Sequence, residues 1–110
     1  MRVFRVTKSN PATEADFISY WDTGRRPPRR RPELERSFKA ISCFDTLARA
    51  CAKAMEYQLG EHVAELDVPE SVAVVQSHTG HIDLEKTTPG ELMRYIIAMH
   101  PANPETRVEI

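Results

Sequence analysis

The chain has 110 residues, with no excess of charge of either sign, few glycines, two cysteines and no long apolar run. Each scarcity excludes a class of function. Fifteen basic residues against sixteen acidic ones leave a net charge of −1, whereas a general nucleic-acid binder carries a net basic footprint. The two cysteines, Cys43 and Cys51, lack the C-x-x-C spacing of a redox pair and are too few for a disulfide framework. Cys51 falls in an alanine-rich helical pattern, where cysteine behaves as a small apolar residue. The four glycines, at 24, 60, 80 and 90, stand one to an element boundary, so neither phosphate-binding glycine motif is present. No G-x-S-x-G elbow surrounds Ser42 or Ser77. The longest apolar runs, such as Val72 to Val75, are far too short to span a bilayer. The opening Met-Arg-Val-Phe-Arg-Val lacks the apolar stretch of a signal peptide, so a cytoplasmic location is the expectation.

What is present suits one small soluble domain. With 41% hydrophobic and 28% charged residues, a chain of this size buries roughly two-thirds of its unfolded surface, enough for a core without staples. Residues 2 to 7 alternate as a strand. Thr13 as N-cap, Asp16 in the first turn, and Phe17, Tyr20 and Trp21 at helical spacing predict a helix from 14 to 21. Residues 32 to 38 open a second short helix, and 39 to 44 read as a second strand. Leu47, Ala50, Cys51, Ala54 and Met55 recur on one face of a helix capped by Asp45 or Thr46 and stopped by Gly60. Strands follow over 62–68, 72–76 and 81–84. Thr88-Pro89-Gly90-Glu91 combines a capping box with proline at the first helical position. It predicts a helix carrying Leu92, Tyr95, Ile96 and Met99 inward until Pro101. The pattern implies an α+β domain over residues 1–100, with a small mixed sheet, three to four helices and a tail at 101–110.

The loudest stretch is Gly24 to Arg36, GRRPPRRRPELER, with six arginines and three prolines in thirteen residues. Pro27, Pro28 and Pro32 remove backbone donors and force extended geometry, so residues 24–32 are a loop. Arg25, Arg26, Arg29, Arg30 and Arg31 have the chemistry to bind phosphate or carboxylate bidentately. The loop itself holds no aromatic for stacking, although Trp21 lies just upstream. It reads as a stiff solvated connector or as a docking segment for an anionic partner, and the sequence leaves both open. His78 and His81 have the spacing to share a metal with His62 or Asp83, but a closed zinc site would normally enlist cysteines. No metal is expected.

One pattern spans most of the chain. It comprises an arginine on the first strand (VFRV, Arg5), a serine on the second (AISCFDT, Ser42) and the alanine-rich helix LARACAKAM. An alternating strand closed by proline (HVAELDVPESVAVV) and a later acidic residue complete it. This resembles the ADP-ribosyltransferase-like families, which include small RES-domain toxins that consume NAD. The resemblance implies NAD as the ligand, with Arg5 on its phosphates and Ser42 supporting the nicotinamide side. It also implies a late glutamate, Glu85 first and Glu109 second, that stabilises the oxocarbenium-like transition state. Tyr20 or Trp21 would stack on the base. The serine triplet of those families is cut short here, since Cys43 and Phe44 follow Ser42. The alternative from another class is a non-catalytic interaction protein. It would be a toxin–antitoxin or immunity component whose arginine loop docks on an acidic protein or RNA.

Overall fold

The computed structural model describes residues 1–103. Strands β1 (Arg2–Thr7), β2 (Ile41–Phe44), β3 (His62–Asp67), β4 (Ala73–Gln76), β5 (His81–Glu85) and β6 (Ile96–Pro101) form one sheet in the order β4-β5-β2-β1-β3-β6. Three helices accompany it: α1 (Glu35–Lys39), α2 (Leu47–Tyr57) and α3 (Pro89–Met93). Two 3₁₀ turns occupy Glu14–Phe17 and Pro32–Leu34. The class is α+β, as the element order implies. Every pairing is antiparallel, however, where a mixed sheet was expected. Only the connection that carries α1 returns the chain to an adjacent antiparallel strand. α2 carries it from β2 over β1 to β3, and α3 from β5 across the sheet to β6, so the strands they join are not neighbours and every ladder stays antiparallel.

Register assigns the faces. Phe4 lies opposite Phe44, Ser42 opposite Asp83, and Phe44 opposite His81, so these side chains share one face. α2 covers part of that face, packing Ala50, Cys51 and Ala54 with Phe4, Val6, Phe44 and Val63. The opposite face carries Val3, Ile41, Cys43, Leu66, Ile82 and Leu84, sealed by Phe17 of the first turn and Leu92 of α3. Both clusters exclude water, and no buried side-chain nitrogen or oxygen among the described residues lacks a partner. Burial pushes the Cys43 thiol up to about 12, which keeps the uncharged form at neutral pH and removes it as a nucleophile.

Local chemistry explains the boundaries. Thr46 caps α2 by accepting a hydrogen bond from the Arg49 amide. The helix ends at Gln58, which takes the left-handed conformation at φ 52°, ahead of the glycine expected to stop it. Gly60 serves a different need: a β-carbon there would stand 2.3 Å from the Thr7 carbonyl oxygen. Met55, expected on the buried stripe of α2, is 54% exposed, whereas Ala50, Cys51 and Ala54 of that stripe are buried. The first helix is only the turn Glu14–Phe17, and the chain leaves it through extended Ile18. Thr88 caps α3 as expected, yet α3 stops at Met93. Ile96–Pro101 is an edge strand on β3 and not the second half of that helix. Two consecutive β-branched residues, Ile96 and Ile97, favour that outcome, and the β3 edge supplies the hydrogen-bonding partner. The fold therefore continues into the expected tail: Pro101 closes β6 and Ala102 is buried against α2. Thr106 to Ile110, read as a last strand or a frayed end, and with it Glu109, lies outside the described residues.

Candidate functional site at the seam between β1 and β2

The sheet is unevenly stitched. β1 matches β3 over all six residues, from Arg2 with Asp67 to Thr7 with His62. It meets β2 through one register pair, Phe4 with Phe44. The ladder stops on the side toward Arg5 and Ser42, and a side chain takes its place. Arg5 NH1 donates to the Ser42 carbonyl at 2.6 Å, its Nε to the Asp16 carbonyl at 3.0 Å and its NH2 to the Ile18 carbonyl at 3.4 Å. Three carbonyls from two segments thus orient one guanidinium in a gap between strands. Among the described residues Arg5 makes no ion pair, so its charge is solvated only by dipoles and by whatever enters the gap. Two of its five N–H groups remain after these three bonds.

The structure brings Arg5 and Ser42 together, 37 positions apart in sequence. It does not bring Glu85 to them. Arg5 leaves β1 on the Phe17 side of the sheet, beside Cys43, while the Ser42 side chain faces the α2 side with Asp83 and Glu85. Glu85 is engaged by Arg36 of α1, and the same guanidinium reaches Asp83 Oδ2 at 3.3 Å. Tyr20 is 44% exposed and carries Arg25 4.2 Å above its ring. Trp21 is packed between neighbours, with Arg26 at 3.7 Å and Lys39 at 4.5 Å from its ring centre. Of the two aromatics, Tyr20 has the more open ring.

Sequence reading missed the polar cluster that surrounds Glu85. Asp83 is buried, with its side chain 6% exposed, and accepts from His81 Nε2 at 2.9 Å. Burial works to raise its pKa, but the hydrogen bond and charge of His81, the Ser37 hydroxyl and Arg36 outweigh burial and hold the carboxyl below its ordinary value. Glu85 in turn raises the pKa of the Arg36 guanidinium. The signal was available: in His81-Ile-Asp-Leu-Glu, period two puts His81, Asp83 and Glu85 on one face. His81 spends its Nε2 on Asp83, His78 lies in the turn, and among the described residues no three His, Cys, Asp or Glu side chains are placed to share a metal ion.

A second charged knot sits across the sheet. Glu65 accepts from His100 at 2.8 Å and from Arg2 at 2.7 Å, and these partners lower its pKa. Asp83 and Glu65 therefore have folded values depressed below ordinary values of 3.8 and 4.5. Their stabilisation is complete above those values and is lost as pH falls through the folded pKa values. The urea midpoint is expected to hold from neutral pH down to about 5 and to fall below it. The double variant Asp83→Asn with Glu65→Gln starts lower at pH 7 and shows a shallower acid loss. An acid limb as steep as the wild type's would assign the pH dependence to other groups.

No family model matches the chain, and no curated protein or solved structure matches it significantly.

Proposed function

We propose that the chain is an ADP-ribosyltransferase-like domain that binds NAD at the β1–β2 seam. The observation that carries this reading is Arg5: a half-buried guanidinium, held by three carbonyls, with no ion-pair partner among the described residues. A cation so placed favours an anion, and the pyrophosphate of NAD offers two negative charges in hydrogen-bonding geometry. Arg5 holds the backbone carbonyl of Ser42, and the Ser42 hydroxyl, on the other face of the sheet, is the group proposed to support the nicotinamide ribose where the ligand crosses the seam. Tyr20, two residues beyond the Ile18 carbonyl that Arg5 grips, is the ring for the base.

The chemistry asked of the site is heterolysis of the bond between the ribose C1′ and the nicotinamide nitrogen. The bonding pair leaves with nicotinamide, which departs neutral, and positive charge develops at C1′. Glu85, held by Arg36 beside Asp83, lies on the Ser42 face and away from Arg5, so the reading requires the ribose to cross the seam to meet it. A preorganised carboxylate facing that charge contributes several kcal/mol, roughly the scale of one oriented electrostatic group. Water or an acceptor hydroxyl then forms the new bond to C1′ and releases its proton to solvent. Arg36 governs the acid: while it pairs with Glu85, the carboxylate is held for structure, and substrate binding has to redirect it.

The test is to incubate the protein with NAD and follow free nicotinamide chromatographically, with Glu85→Gln alongside. Release above the spontaneous background, reduced by roughly a hundredfold or more in the glutamine variant, is the expected result, in line with loss of one electrostatic stabiliser. Wild-type protein that releases none is incompatible with a catalytic role.

A further inference from the structure

The arginine loop is independent of the seam, and its surroundings give it a partner of definite chemistry. Between residues 20 and 39 there are seven basic side chains and three acidic ones, so the rest of the chain is net acidic. Positive charge is concentrated on one projection of an otherwise negative molecule. That projection is ordered around Trp21, the single tryptophan of the chain. Arg26 packs on the indole and donates from NH1 to the Trp21 carbonyl at 2.8 Å. Lys39 comes to the same ring from α1, and the Trp21 amide donates to the Phe38 carbonyl at 2.9 Å, tying the loop to that helix.

The result is a groove of about 320 Å³, lined by Trp21, Pro27, Pro28, Pro32, Arg26 and Arg29, with Glu35 at its wall. Its volume is at the small end of ligand sites, enough for a few side chains. The prolines and indole edge make an apolar floor, and the guanidinium groups make a cationic rim. Arg31 is spent on Glu33, but Arg29 and Arg30 are exposed and form no ion pair among the described residues.

We propose that this groove docks an acidic segment of a partner protein, one that sets an apolar side chain on the proline floor and its carboxylates on Arg26, Arg29 and Arg30. Charge complementarity selects the anion, and the floor selects the peptide. Single-stranded nucleic acid binds by stacking bases on open aromatic faces, whereas the Trp21 ring already bears two cations. Carboxylates match guanidinium groups bidentately and leave that ring undisturbed.

Trp21 makes the test direct, because its fluorescence reports on this groove alone. The protein is titrated with a synthetic peptide of alternating glutamate and leucine, with polyglutamate, with a single-stranded oligouridylate and with inorganic phosphate. The expected result is a saturable change in emission with the glutamate–leucine peptide, weaker with polyglutamate, and abolished near 1 M salt, where the Debye length is about 3 Å. Arg29→Ala with Arg30→Ala, both exposed and without an ion-pair partner among the described residues, is expected to weaken binding at least tenfold, roughly the scale of one lost charge-assisted contact. Three outcomes overturn the proposal: no response to the peptide, tighter binding of the oligonucleotide than of the peptide, or peptide binding that survives the double substitution. None of these bears on the seam, since NAD binding is read through Arg5.

Discussion

Replacing Arg5 by methionine is expected to cost about 2–4 kcal/mol of stability, since removing a hydrogen-bond partner costs about 1–3 kcal/mol per stranded buried group and water reaches part of this site. Methionine keeps most of the aliphatic stem and removes every donor. The Asp16, Ser42 and Ile18 carbonyls lose their shared partner together. Because Arg5 stands where the β1–β2 ladder is interrupted, the loss falls on the weakest junction of the sheet. Urea denaturation measures it. Arg5→Lys separates structure from ligand binding. An ammonium restores one or two of the three bonds and keeps the charge, so stability recovers in part. It lacks the planar fork that can hold carbonyls and phosphate at once, so the NAD-induced rise in melting temperature stays absent.

The second large effect is expected at Phe17. Truncation to alanine should cost about 3–5 kcal/mol, the range for a fully buried phenylalanine. Phe17 has no solvent exposure and packs in the cluster with Val3, Cys43, Leu66 and Leu92. For a domain of this size the melting temperature would fall by roughly 10–25 °C. The consequence reaches the site, because Phe17 pins the turn whose Asp16 and Ile18 carbonyls flank it and grip Arg5. Phe17→Ala is therefore expected to weaken NAD binding even at temperatures where the variant stays folded. Phe17→Leu, which keeps most of the volume, should spare both properties.

Much of this architecture is legible in the sequence where one local rule dominates. The arginine and proline run could only be a loop, and it is one. Thr46 and Thr88 announce their helices because a hydroxyl accepting an N3 amide is a local event. The alternation of His62 to Asp67 reads directly as β3. The failures occur where a distant partner decides. Ile96 to Pro101 fits the inward stripe of a helix as well as it fits a strand, and the open edge of β3 settles it. The antiparallel order of β5, β2 and β1 depends on connections whose direction no local pattern encodes. The resemblance singles out Arg5 and Ser42 by their places on the first two strands, and the structure sets the Arg5 guanidinium on the Ser42 carbonyl. The fact that Arg5 grips the serine's backbone carbonyl, with the two side chains on opposite faces, follows from register alone. In the sequence Asp83 reads only as a possible metal partner of His78 and His81, because its ion-pair role depends on Arg36 and Ser37, which lie far from it along the chain.

The measurement that bears most directly on the central claim is a calorimetric titration of ADP-ribose into the wild-type protein and into Arg5→Lys. ADP-ribose carries the pyrophosphate and ribose without the scissile bond, so it reports on the seam whether or not the chain is catalytic. The account predicts saturable one-to-one binding to the wild type that weakens with salt and is lost in the lysine variant, while Arg29→Ala with Arg30→Ala binds as the wild type does. Equal binding to wild type and Arg5→Lys, or no binding to either, would contradict it.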